Sequence, residues 1–138
     1  MTQTAFRTSV LLLALALGIA TAAPALAETV SLKADLQGVS GTKSTATGTL
    51  TADYDTSSKK LHWRGVYAGV GTYATGGAIY GPGNTVEAKL KSFDSPFEGS
   101  AVLSDKQEAD LVAGKWLIIV RTAGFPNGEL GGQIVRAN

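Results

Sequence analysis

The sequence predicts an all-β domain, an antiparallel β-sandwich or Greek-key barrel of about eight short strands with one short helix. Three features point there. Apolar residues recur at every second position over most of the chain, which is the period of a strand with one buried face. Polar or glycine-rich turns interrupt these runs at short intervals. Only the stretch after Ser104 carries helix-starting chemistry.

Taken in order, Val30, Leu32, Ala34 and Leu36 alternate with polar residues as a first strand, and residues 37–43 break it as a loop. Ala46, Gly48, Leu50, Ala52 and Tyr54 resume the period. Asp55-Thr56-Ser57-Ser58 is a turn, because short polar side chains bond to nearby backbone. Leu61, Trp63, Gly65 and Tyr67 return as the hairpin partner, with His62, Arg64 and Val66 on the opposite face. A glycine-rich stretch holds a strand over Ala74–Tyr80, ended by Gly81-Pro82-Gly83. Glycines within strands mark bulges or close backbone approach, and Gly65 and Gly76 are expected to do so. Val86, Ala88 and Leu90 give a further strand, and residues 97–103 another.

Ser104, with Gln107 three residues later, forms a capping box for a helix over residues 105–113, and Gly114 ends it. Residues 115–122 and 129–135 close the chain as a hairpin around Phe125-Pro126-Asn127-Gly128. Residues 116–120 are apolar without alternation, so this strand is expected to be central and covered on its second face as well.

Residues 1–27 read as a cleaved signal peptide. Arg7 gives a positive start, residues 10–20 an apolar run, and Ala25-Leu26-Ala27 a small-x-small cleavage site. The apolar run is too short to span a bilayer, which takes about 20 residues. The folded domain is therefore residues 28–138, expected in the periplasm or the medium, with no membrane insertion after cleavage. Loss of Arg7 reduces 12 basic residues to 11, which balance the 11 acidic ones. A neutral surface without a basic run argues against a nucleic-acid partner. The chain has no cysteine, so the core must supply the stability of an exported domain. An outer-membrane barrel is the competing all-β form. It needs strands of about 9–11 residues and aromatic girdles, whereas the strands here are expected to be shorter and the aromatics sit singly.

One pattern runs through residues 116–134: an apolar strand led by Trp116 and ending in Thr122, then Pro126-Asn127-Gly128-Glu129, then Gly132-Gln133. With Leu36-Gln37-Gly38, Ala46-Thr47-Gly48, Leu61-x-Trp63, Tyr67, Gly69, Gly81-Pro82 and Leu111-x-x-Gly114, it resembles the chordin-like (CHRD) domain from about Leu32 to Ile134. The resemblance implies an extracellular or periplasmic all-β domain, found in animals within chordin, which binds bone morphogenetic proteins. In bacteria it implies single secreted domains without an established activity. It also implies a face bearing His, His, an aromatic, Asn and His, a set suited to a metal or ligand. At the corresponding positions this chain has Ala78, Tyr80, Leu117, Ile119 and Arg121. An aliphatic carbon cannot coordinate a metal, and a guanidinium stays protonated at ordinary pH. The face has become more apolar, which suits packing, a homo-oligomeric contact or a greasy pocket.

The remaining chemistry is sparse. His62 is the lone histidine and reads as a surface residue, with no carboxylate close in sequence to complete a metal site. No nucleophile elbow or phosphate-cradling loop is present. Glu129 reads in two ways: as a surface acid pairing with Arg121 across the hairpin, or as a member of a polar site with Tyr80 and Arg121 that suits a carboxylate or phosphate. Ala78, Leu117 and Ile119 are the candidate apolar interaction face. These readings make the domain a binding or structural module without catalytic residues, cofactor or metal, acting on a protein or small ligand through that face or a sheet edge. The alternative is a periplasmic metal-binding or redox protein of a His-x-His family whose site is degenerate here.

Overall fold

A computed structural model describes residues 28–137. The signal-peptide reading of residues 1–27 lies outside the described residues. Eight strands run in chain order as β1 (Thr29–Gly38), β2 (Thr47–Asp55), β3 (Lys60–Ala68), β4 (Ala74–Tyr80), β5 (Val86–Lys89), β6 (Phe97–Val102), β7 (Trp116–Thr122) and β8 (Leu130–Arg136), with helix α1 (Asp105–Val112) between β6 and β7. All pair antiparallel in one sheet of order β5-β4-β7-β8-β1-β2-β3-β6. The sheet curls into a nearly closed barrel around a single core.

Alternation places the core as expected. Val30, Leu32, Ala34 and Leu36 of β1 are buried, as are Leu50, Ala52 and Tyr54 of β2 and Leu61 and Trp63 of β3. Two glycines opposite large aromatics make room inside. Gly65 pairs with Phe97 and Gly99 with Trp63. A Cβ on Gly65 would meet the Phe97 ring at 2.2 Å, and one on Gly99 the Trp63 indole at 2.5 Å. Gly65 thus serves close approach, while Gly76 sits where the β4–β7 register shifts.

The expectation of short strands fails for β1, β2 and β3, which have 10, 9 and 9 residues. Length therefore does not separate this sheet from a membrane barrel, but polarity does. The inside is filled with Leu, Trp and Tyr, and Lys33, Asp35, Asp53 and Arg64 point outward, the reverse of a lipid-facing band around a polar lumen.

Helix α1 begins with the predicted capping box: Gln107 N–H donates to Ser104 Oγ (3.2 Å) and Ser104 N–H to Gln107 Oε1 (2.9 Å). Gly114 ends it with φ of 76°. Leu111 enters the core. The helix follows β6 directly, and Gln107 Nε2 reaches Glu87 of β5 at 2.7 Å, so α1 bridges the gap between the two edge strands. Lys59, in the β2–β3 turn, pairs with Asp105 and Glu108 and ties the helix to that end of the barrel.

Candidate functional site

Strand β7 is central, between β4 and β8. Trp116, Ile118, Val120 and Thr122 face the core, while Leu117, Ile119 and Arg121 face outward and are half-buried. Full cover of the second face was expected from its sequence. The structure covers it only partly, because β8 opposes it with Gly131 rather than a side chain. Ile119 lies flat in that space, its Cδ1 2.7 Å from where a Gly131 Cβ would stand.

Register fixes which residues share the face. Tyr80 is opposite Leu117, Ala78 opposite Ile119, Gly76 opposite Arg121, and Gln133 and Gly131 flank the other side of β7. Tyr80, Leu117, Ile119 and Arg121 therefore lie together; Ala78 shares their register but is 3% exposed and lines neither cavity below, so it drops out of the candidate interaction face. Two cavities open on this face. One, about 320 Å³, is lined by Tyr80, Asn84, Leu117, Ile119, Arg121 and Asn127. The other, about 490 Å³, shares Leu117 and Ile119 and continues over Gly131 and Gly132 to Asp35, Gln37 and Gln133. Together they make one groove with an aliphatic floor.

Tyr80 and Arg121 meet. An Arg121 Nη donates to the Tyr80 hydroxyl, and the guanidinium carbon lies 5.9 Å from the Tyr80 ring centre.

Glu129 does not join them, and both sequence readings of it are corrected. It is 1% exposed and makes no ion pair among the described residues. Glu129 N–H donates to the Val120 carbonyl at 2.9 Å, yet Leu130 is the residue paired with Val120. Two residues of the returning strand thus face one of β7. The extra residue resets the alternation, as in a β-bulge, and sends Glu129 inward with Leu130. There Oε1 accepts the Thr122 hydroxyl at 2.7 Å and Oε2 the Ser44 hydroxyl at 2.8 Å. Each hydroxyl accepts a backbone N–H in turn, Ser44 from Ala46 and Thr122 from Phe125 (both 3.2 Å), which aims its proton at the carboxylate. Ser44 was missed by sequence reasoning. The one local sign of the bulge was Gly128 just before Glu129, with φ of 126°.

His62 is half-exposed, with Nε2 3.7 Å from a Glu98 oxygen that Arg64 also approaches at 3.4 Å. Strand pairing sets Asp53 opposite His62, so carboxylates distant in sequence come near it. No group of three or more His, Cys, Asp or Glu among the described residues is placed to hold a metal ion.

Fold and face define a small antiparallel β-module whose curled sheet carries a solvent-open groove on its outer side. Residues 29–134 match the CHRD domain, and the chain belongs to that family. No curated protein matches it.

Proposed function

We propose that this CHRD domain is an exported, non-catalytic binding module whose contact surface is the outer groove across β4, β7, β8 and β1. The observation that carries the reading is the shared floor: Leu117 and Ile119, on a central strand, stay half-open and line both cavities of one face. Aliphatic side chains held in a concave surface with a few polar groups at its ends suit an apolar or amphipathic partner. Membership of a family read as extracellular, and the leader expected at residues 1–27, favour action outside the cytoplasm. Glu129, the acid expected beside Tyr80 and Arg121, is locked in a structural network away from the groove, which favours binding over catalysis.

The test is titration with an uncharged apolar fluorophore, N-phenyl-1-naphthylamine, alongside sedimentation. The wild type should enhance its fluorescence, or sediment as a dimer if the groove mates with a second copy. Ile119→Asn should abolish whichever is seen while the β-sheet circular dichroism is kept. A monomeric wild type that leaves the probe dark overturns the reading.

A further inference from the structure

The Tyr80–Arg121 end of the groove holds an unmatched positive charge. Among the described residues, Lys59, Arg64 and Lys106 pair with carboxylates, whereas Arg121 has no such partner. Its polar side-chain contact is the Tyr80 hydroxyl, which occupies one of the five guanidinium N–H groups and leaves the others for an acceptor. Arg121 is half-buried and lines a cavity with Ile119 and Leu117, where water screens its charge less than at an open surface. Asn84 and Asn127 line the same cavity of about 320 Å³, and neither amide makes a hydrogen bond to the described residues. The remaining Arg121 N–H groups and two amides therefore line one cavity together with Leu117 and Ile119.

From this juxtaposition we infer that the cavity is a carboxylate-binding subsite. It takes the head of an amphipathic monocarboxylate whose apolar chain lies over Leu117 and Ile119. The inference rests on the groove being the contact surface proposed above, and it adds the ligand class and its direction. Arg presents paired N–H donors that match the two oxygens of a carboxylate, and such charge-assisted pairs are the strong ones. The floor argues for a ligand with an apolar body over a bare inorganic anion. The opposite end sets the polarity. There the groove is lined by Asp35 with Gln37 and Gln133, and the negative charge of Asp35 disfavours a second one. A chain with a carboxylate at each end fits worse than one with a single head.

The experiment is an amide-shift and calorimetric titration of the protein with sodium octanoate, 1-octanol and disodium octanedioate. Octanoate should bind with shifts centred on Tyr80, Leu117, Ile119 and Arg121, at least about tenfold tighter than either control, and should weaken as sodium chloride is raised. Arg121→Gln should lose that tenfold preference for octanoate over octanol. Should Arg121→Gln fold poorly, the wild-type comparison and its salt dependence decide alone. Equal binding of octanoate and octanol, unmoved by salt, overturns the carboxylate subsite and leaves the apolar groove standing. Binding of neither octanoate nor octanol overturns both.

Discussion

The Thr122 hydroxyl donates to Glu129 Oε1 at 2.7 Å inside the protein, across the turn that joins β7 to β8. Ser44, 85 residues away in sequence, donates to the other oxygen. One carboxylate thereby pins the last hairpin to the β1–β2 loop. Glu129 also adds to the potential on Tyr67, whose phenol is held above its usual range first by burial, then by Asp94, and then by Glu129. A buried carboxylate without a cation is costly unless its lone pairs are filled, so the two hydroxyls are a condition of this arrangement. Glu129→Ala should destabilise the domain by about 3 kcal/mol, since hydrogen bonds to a charged group contribute roughly 1.5–3 kcal/mol and a cavity is left. Urea denaturation measures it. In a double-mutant cycle, Ser44→Ala and Glu129→Ala should couple by more than about 0.5 kcal/mol. Additive losses would mean that the bond contributes nothing.

The glycine–aromatic pairs give a second expectation. Phe97 fills the space over Gly65, and Trp63 that over Gly99, both deep in the core. Neither ring can retreat without leaving its packed position. Gly65→Ala and Gly99→Ala should each cost roughly 1–3 kcal/mol, as overpacking does. Gly76→Ala meets no atom within 4 Å and should be far milder. Thermal melts of the three variants check the order, and a Gly76 variant as unstable as the others would refute the steric account.

Helix α1 shows what a local signal can establish. Ser104, Gln107 and Gly114 lie within one short stretch, and their capping chemistry fixed both ends of the helix to within a residue. Alternation likewise placed Leu32, Leu50 and Trp63 in the core, whereas the grouping of residues 78, 80, 117, 119 and 121 came from the family resemblance, since residues 116–120 show no alternation in sequence. Glu129 was illegible for the opposite reason. Its inward turn depends on which residue of β7 two residues of the returning strand share, and its second partner comes from a distant loop. Neither is a property of any window of sequence. The pairing of β8 with β1 belongs to the same class, as does the approach of Glu98 to His62.

Removal of the cap should be felt locally. Ser104→Ala leaves the Gln107 N–H without its acceptor, while the backbone N–H of residue 104 still donates to Gln107 Oε1. Loss of such a cap costs about 1 kcal/mol. Because Gln107 also reaches Glu87, hydrogen exchange should quicken in α1 and β5 together. Faster exchange confined to α1 would show that the helix does not brace the sheet edges.

At low pH, Asp55 carries a sign that can be worked out. The Ser57 hydroxyl, and after it the Ser58 and Ser57 backbone N–H groups, hold its carboxyl below the usual carboxylate value. A depressed folded pKa gives stability that is present above the unfolded value, about 3.9, and lost as pH falls through the folded one. Ser57→Ala should raise the Asp55 pKa and reduce the acid sensitivity of the melting temperature below about pH 4. An unchanged Asp55 titration by NMR would remove the Ser57 hydroxyl as its cause.

The alkaline limb runs the other way and comes from the core. Tyr54 is fully buried, and burial, followed by the Glu108 carboxylate, raises its phenol above the ordinary value; Tyr67 is raised likewise. The folded chain keeps these protons at a pH where the unfolded chain releases them. Stability is therefore whole below the unfolded pKa of about 10 and declines as pH rises past it toward the raised folded values. Tyr73, 73% exposed, lies outside the core. The melting temperature should fall from about pH 10 upward, and Tyr54→Phe should flatten that fall, while Tyr73→Phe should leave it unchanged. If Tyr73→Phe flattened the curve as much as Tyr54→Phe, the loss would stem from general charge repulsion at high pH, and the buried phenol would not be its source.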